Sequence, residues 1–480
     1  MMTRVMRVSV IACIVLAGFL LAGEAFAASG ASLKRIVVFQ DGTSLQVQQQ
    51  TVAQSGSRLL HVLSLINGAS IELPAVGTEG ALAYLQTHYA VAGVYDDPAI
   101  GAHGEVAAIA QGGGGDGGGG DQTVFVTPVA PPPTEIYPWG IDKIGAADVQ
   151  EGTPPVAGDG VKVAIFDTGV DLTHPDLAPN LVGGFNAIAD ADPSNYGDDN
   201  GHGTAMAGII AARLNRRGVI GAASHAVLYA VKVLDKNGRG HTSDVIHALG
   251  VVASRQDIRL INMSFGTSIN WPLFPMAIQR TIQSGKIIVA SRGNASVDCT
   301  DAVIHGGGGD GGGGDGSSGS PDCFTVRYPA AYPDVITVGA TTLGDHVASY
   351  SLSGVPLDFW QGQPCLATPP LACWRPKVDV VAPGGAYSPS DLTQEIFTTN
   401  LGGGYGVMTG TSPAAAHVTG AVALALQLRR DLTPAQAKDL LQRTANHLQC
   451  PNWPIVSGCP IDRQGAGLID VQAMVEELRK

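Results

Sequence analysis

The chain has 480 residues, enough for one large domain and a smaller one beside it. Only 14% of them are charged while 64 are glycine, a balance that excludes a coiled coil or a disordered regulator and suits a loop-rich extracellular protein. The formal net charge of −13 argues against nucleic acid as a partner, because a phosphate backbone attracts the opposite sign.

Arg4 and Arg7 precede an apolar run over residues 8–22, and Ala25-Phe26-Ala27 offers the small residues that a signal peptidase reads. Residues 1–27 are therefore expected to be a signal peptide, with the mature protein secreted to the extracellular or periplasmic side. The run is short for a membrane span, and Glu24 stands where a lipoprotein signal carries cysteine. No later stretch is apolar enough to span, so no membrane contact is expected after signal removal. Cys13 leaves with the signal. The others fall into close pairs, Cys299 with Cys323, Cys365 with Cys373 and Cys450 with Cys459. An oxidising compartment favours local disulfides, although sequence alone does not choose among connectivities. No pair has the Cys-x-x-Cys spacing of a zinc site.

Residues 31 to about 100 read as a small α+β unit, with strands at 35–39 and 69–73 and a helix at 79–88. Residues 112–121 then repeat Gly-Gly-Gly-Gly-Asp, followed by Pro131-Pro132-Pro133, a composition that cannot bury enough surface to fold and so reads as a linker. The same ten residues recur at 306–315. Calcium-binding nonapeptide repeats are the competing reading, but the period differs and the large apolar position is missing. The expected division is 1–27 signal, 28–110 small domain, 111–136 linker and 137–480 main domain.

In the main domain, strand-like runs at 161–166, 227–233, 258–263, 286–290, 335–340 and 378–381 alternate with helical runs at 204–212, 242–254, 275–284, 412–429 and 433–446. That alternation predicts an α/β fold, a doubly wound, mostly parallel sheet with helices on both faces. Asp167 closes the first apolar run, where open α/β sheets place their ligands. His202 stands in Asn200-Gly201-His202-Gly203-Thr204, just ahead of a helical run. Ser412 follows Gly410-Thr411 at the start of an alanine-rich helix, whose orphan amides and positive dipole end favour negative charge. Pro413 sits in the first turn, where a missing N–H costs nothing. Asp, His and Ser together at sheet and helix ends point to nucleophilic catalysis with an assisting base.

With Asp167-Thr168-Gly169, His174-Pro175-Asp176-Leu177, His202-Gly203-Thr204, Gly293-Asn294 and Gly410-Thr411-Ser412 with His417-Val418, the chain from about Tyr137 onward resembles the subtilisin-like serine proteases. The resemblance implies a serine endopeptidase acting on proteins or peptides. Ser412 would be the nucleophile, His202 the base and Asp167 its partner, with the Asn294 amide and the Ser412 N–H binding the oxyanion. The Asp–His–Ser chain order is known from subtilisin itself. The small unit resembles the family's propeptide, which would template folding and occupy the active site until cut. A monomer needing no cofactor for its chemistry is implied. Ala205, Arg292, Pro413 and Ala416 depart from the family's usual residues without removing a catalytic atom.

The family's substrate-flanking edges match Gly238-Arg239-Gly240 and Ser264-Phe265-Gly266, whose backbone would pair with an extended peptide. The competing reading is that the glycines there merely turn the chain. Structural calcium is one reading of the acidic positions, and a solvated acidic loop without metal is the other. Asp190 and Asp192 lie in a loop before His202, and the family pattern separately points to Asp176 and Asn215, against which Arg216 and Arg217 count. Arg327, in Thr325-Val326-Arg327-Tyr328-Pro329, takes the place of a small residue in the pocket for the side chain before the scissile bond. It would favour Asp, Glu or small residues there, or else turn away to pair with Asp298, Asp301 or Asp322. A narrow processing protease and an inactive scaffold are the competing functions.

Overall fold

The computed structural model describes residues 33–102, 105–106, 122–123, 132–295, 326–352, 377–388, 390–449 and 461–480. The expected signal segment, both glycine–aspartate repeats, all seven cysteines and Asp298, Asp301 and Asp322 lie outside those residues. Contacts separate a small unit, the described residues up to Val62 with Asn67–Asp97, from a large one, Leu63–Ile66 with Pro98–Lys480.

The small unit holds a four-stranded sheet of β1 (Lys34–Phe39), β2 (Arg58–Leu63), β3 (Gly68–Glu72) and β4 (Val91–Asp96), in the order β2-β3-β1-β4. Helices α1 (Leu45–Gln54) and α2 (Thr78–Thr87) join its strands. Val37, Phe39, Ile71 and Leu85 are buried in its core. The strands β1 and β3 were foreseen; β2, β4 and the glutamine-rich α1 were not, although β2 is as apolar as β1.

In the large unit the chain first forms β5 (Ala99–Ala102) and β6 (Glu135–Ile136). There follow β7 (Lys162–Asp167), β8 (Leu181–Asn186), α3 (His202–Ala211), β9 (Gly218–Val219), β10 (Val227–Lys232), β11 (Arg239–His241) and α4 (Thr242–Ser254). Next come β12 (Leu260–Met263), β13 (Phe265–Gly266), α5 (Phe274–Gln283), β14 (Ile287–Ser291), β15 (Ile336–Thr341) and β16 (Val380–Pro383). The chain then makes the hairpin β17 (Ile396–Asn400) and β18 (Gly404–Met408), followed by α6 (Thr411–Leu428), α7 (Pro434–Thr444) and α8 (Val471–Arg479). Seven strands make one sheet in the order β8-β10-β7-β12-β14-β15-β16, with every neighbouring pair parallel.

Both faces of this sheet are covered. Val163 and Ile165 of β7 join the large apolar cluster that includes α3, α6, α7 and α8, while the alternate residues Ala164 and Phe166 are equally buried outside it. Val245, Leu249, Phe274 and Ile278 of α4 and α5 also fall outside that cluster. This period-two division of a continuous apolar run is what a parallel strand with helices on either side requires. Helix α6 is buried from Thr411 to Leu426 and packs on β12, β14, β15, β16, α3 and α8. A helix apolar all round has to be central. Gly420 permits its close approach, since a Cβ there would lie 2.5 Å from the Ala222 methyl.

The expected sheet strands all form, with ends shifted by one or two residues. Helix α3 starts two residues earlier than expected, so His202 is its first residue rather than a residue ahead of it. Strand β8 was not foreseen, because Gly183 and Gly184 interrupt its pattern. A Cβ at Gly184 would lie 2.3 Å from the Ala230 carbonyl, so the residue that hides the strand also lets it pair.

Candidate active site

Strand β7 delivers Asp167 at its carboxyl end, and α3 begins at His202. Their side chains meet with Asp167 Oδ1 2.7 Å from His202 Nδ1, both fully buried. The same Oδ1 accepts the Thr168 N–H at 2.8 Å. His202 Nε2 is buried and has no hydrogen-bond partner. An imidazole held through Nδ1 in this way presents Nε2 as a base. Gly203 lets the two elements close up, because a Cβ there would sit 2.0 Å from the Gly169 carbonyl.

Ser412 is the second residue of α6. Its hydroxyl donates to the Ser264 carbonyl at 3.1 Å, and the Ser264 hydroxyl in turn donates to the Ser412 carbonyl at 3.2 Å. Thus Asp167 and His202 are joined here, while Ser412 is turned toward Ser264. Asn294 stands beside the start of α6, and its Oδ1 accepts both the Thr411 N–H and the Thr411 hydroxyl at 2.8 Å. Those two bonds fix which end of the amide is which. The NH2 end lies toward Gly410, where an added Cβ would come within 3.0 Å of it. Gly410 itself has φ of +145°, which a side chain would strain.

The two expected substrate edges flank a strand of the chain itself. β5 pairs antiparallel with β11, Ile100 opposite Gly240 and Gly101 opposite Arg239, and Gly238 accepts the Ala102 N–H at 2.9 Å. On its other side β5 pairs antiparallel with β13, Gly101 opposite Gly266 and Ala102 opposite Phe265. The direction from Gly101 to Ala102 therefore points at Ser264, the residue whose carbonyl takes the Ser412 hydroxyl. Gly240 is needed for closure, since a Cβ there would approach the Val233 carbonyl to 2.2 Å.

Comparison with known proteins bears on this geometry. Residues 158–467 match the model of the Subtilase family (Peptidase_S8). Over 340 residues the chain is 34% identical to subtilisin of Bacillus pumilus, covering 71% of this chain and 98% of that protein. It has the same identity to subtilisin E of Bacillus subtilis (strain 168), covering 71% of each chain. It is 33% identical to an intracellular serine protease of Paenibacillus polymyxa, covering 72% of this chain and 87% of that one. The chain belongs to the subtilase family. It is accordingly a serine endopeptidase.

Two arginines distinguish this subtilase near the expected specificity pocket. Arg327 is partly exposed, in the segment where Tyr328 pairs with Thr267. Arg292, next to Gly293-Asn294, is fully buried. Burial first and the Arg327 charge second bring its guanidinium down to about 10. The sequence marked Arg292 only as a departure from the pattern. The fold brings its charge into range of Arg327.

Several of the oxygens expected to hold calcium already accept hydrogen bonds in this subtilase. Asp192 Oδ1 already accepts the Ser194 N–H at 2.9 Å and the Ser194 hydroxyl at 2.7 Å. Asp176 is fully buried, but its Oδ1 accepts the Asn215 amide and its Oδ2 accepts Tyr405 Oη–H and the Val219 N–H. Asn215 thus turns a donor, not an oxygen, toward the carboxylate. Nearby, Glu135 Oε1 is buried without a hydrogen-bond partner, and burial, with the Asp176 charge adding to it, raises the Glu135 pKa. One oxygen inclined to keep a proton is far from the six to eight ligands that calcium takes. No group of three or more His, Cys, Asp or Glu side chains gathers among the described residues, and none of the helices there is long and apolar enough to cross a membrane.

Proposed function

We propose that this subtilase is exported, cuts itself from a precursor, and then hydrolyses peptide bonds of protein substrates through Ser412, His202 and Asp167. In this reading Ser412 Oγ attacks the carbonyl carbon while His202 Nε2 takes its proton and passes it to the leaving amine. Asp167 holds the imidazole and favours its charged form. The oxyanion is met by the Asn294 amide and the Ser412 N–H. The reading requires the Ser412 hydroxyl to leave the Ser264 carbonyl for Nε2, an alignment that often completes only when substrate is bound. The observation that carries it is the buried Asp167–His202 contact of 2.7 Å with Nε2 left open.

Strand β5 supports the precursor and the mode of substrate binding. A segment of the chain paired on both edges with β11 and β13, and directed at Ser264, is placed as an extended substrate would be. The cut is then expected shortly after Ala102, between the small unit and the main domain. Arg327, with Arg292 behind it, adds positive charge where the residue before that bond would lie, and so favours Asp or Glu in substrates. Purified mature protein is expected to react covalently with a fluorophosphonate at Ser412. The Ser412→Ala chain is expected to stay unlabelled and at full length after signal removal. Labelling or normal maturation of that variant, in a host without other proteases, would contradict the proposal.

A further inference from the structure

Helix α3 begins at His202 with no help from its own N-cap. Gly201, at φ of +111°, has no side chain to offer. Its first three amides nevertheless all find oxygen. The His202 N–H goes to Asn200 Oδ1 at 3.1 Å, the Gly203 N–H to Thr168 Oγ1 at 2.9 Å and the Thr204 N–H to Asp198 Oδ2 at 2.9 Å. Asp198 is the hub of this arrangement. Its Oδ1 also accepts the Thr168 hydroxyl at 2.8 Å, the Asn200 N–H at 2.9 Å and the Gly201 N–H at 3.0 Å, and its Oδ2 accepts the Thr204 hydroxyl at 2.6 Å.

Every one of these bonds needs an acceptor at Asp198. Because the Thr168 hydroxyl spends its one proton on Asp198, its lone pair is turned toward the Gly203 N–H. Thr168 is also the residue whose N–H binds Asp167 Oδ1, the oxygen that holds His202 Nδ1. Its carbonyl accepts Lys232 Nζ at 2.6 Å, from a lysine that is itself 4% exposed. The end of β7 and the first turn of α3 are therefore locked together through one threonine and one carboxylate.

We propose that Asp198 is a positioning residue for the reaction, acting with Thr168 to hold the His202 imidazole in register with Asp167. It touches no substrate. This inference rests on His202 being the general base. Replacing Asp198 with asparagine puts an NH2 group where only an acceptor is tolerated, which frees either the Thr168 hydroxyl or the start of α3. A shift of this kind changes the alignment of the imidazole, and misplacement by about 1 Å costs up to about 100-fold in rate.

The test compares Asp198→Asn, Thr168→Val and Thr168→Ser with wild type, using a peptide amide substrate and counting mature protein by active-site titration. Asp198→Asn and Thr168→Val are expected to lose about 10- to 100-fold in kcat per titrated site with KM changed by less than about threefold. The acid limb of their kcat profiles is expected to move to lower pH, since an imidazolium less well met by Asp167 is less stabilised. Thr168→Ser, which keeps the hydroxyl, is expected to recover most of the loss. If Asp198→Asn folds poorly, the Thr168→Val and Thr168→Ser pair still decides the matter. Unchanged kcat and acid limb in titrated variants, with only the melting temperature lowered, overturn the proposal. Ser412→Ala serves as the control. Turnover surviving there overturns the underlying assignment, while turnover lost there but intact in Asp198→Asn overturns the role of Asp198 alone.

Discussion

The two helices that carry the proposed reacting groups start in opposite ways. At α3 the first three amides are each met by a side-chain oxygen, from Asn200, Thr168 and Asp198. At α6 the N-cap is again a glycine without a side-chain bond, the Thr411 N–H goes to a side chain, Asn294 Oδ1, and Pro413 has none to offer. The Ser412 N–H stands in the same first turn, and in the proposed reading it faces the oxyanion. A general base needs one orientation, which a saturated network supplies. A site where negative charge develops needs a donor held ready for a ligand, which saturation would remove.

This contrast can be tested from the α6 side first. Asn294→Ala deletes the NH2 end that lies toward Gly410, as well as the acceptor for Thr411. The expected loss in kcat is about 100- to 1000-fold with KM little changed, the range known for one such donor in a subtilisin. Steady-state kinetics on titrated enzyme check it. A loss confined to KM would mean that Asn294 binds substrate uniformly rather than the developing oxyanion.

The second test compares two histidines. His202 opens its helix with Nε2 available, whereas His417, one turn beyond Ser412 in α6, is fully buried with Nδ1 bonded to the Pro413 carbonyl at 2.8 Å and Nε2 without a partner. Its imidazole lies against Gly140, where a Cβ would come within 2.5 Å of Nε2. Burial brings the His417 pKa down to about 4. In the unfolded chain it titrates near about 6.5, so between these values the unfolded state binds the extra proton. Stability is therefore expected to rise as pH goes from about 4 to about 6.5, by about 3 kcal/mol from this group, and to be independent of it above. Urea unfolding of inactive Ser412→Ala across that range, with and without His417→Gln, measures the term. An unaltered pH slope in the double variant would show that His417 does not carry it.

The smallest effect concerns the arginines. Arg292 and Arg327 bring like charges within range of each other, and a substrate carboxylate met by a guanidinium there would gain a charge-assisted bond. A charge-assisted bond contributes about 1.5–3 kcal/mol, which corresponds to about 10- to 150-fold in favour of Asp or Glu before the cut. A peptide library varied at that position, run on wild type and on Arg327→Gly, reads this directly. Wild type favouring large apolar residues, with no change in the variant, would place the guanidinium outside the pocket.

Local pattern was enough to read the sheet strands from β7 onward, apart from β8, the helices on them, and the candidates Asp167, His202, Ser412 and Asn294. Short continuous apolar runs rich in β-branched residues fit strands covered on both faces, and the short motifs Asp-Thr-Gly, His-Gly-Thr and Gly-Thr-Ser each mark an element's end. β8, β17 and β18 were not legible, because glycines and polar residues there satisfy contacts that only the neighbouring strands impose. The surroundings of Asp176 were not legible for a related reason. Spacing shows which carboxylates lie near one another in sequence, but Tyr405, 229 residues after Asp176, is the group that occupies its oxygen.

By itself, the sequence determined the family and the α/β layering and supplied the candidates for the reacting side chains, because periodicity and short motifs are local properties of the chain. Tertiary structure alone decided what surrounds them. It brought Arg292 into range of Arg327, set β5 between β11 and β13, and gathered Thr168, Asp198 and Thr204 around the start of α3. Most of these join segments far apart in the chain, such as β5 with β11 and β13 or Thr168 with Asp198, and hydrogen bonds across such distances leave no periodic trace along the chain.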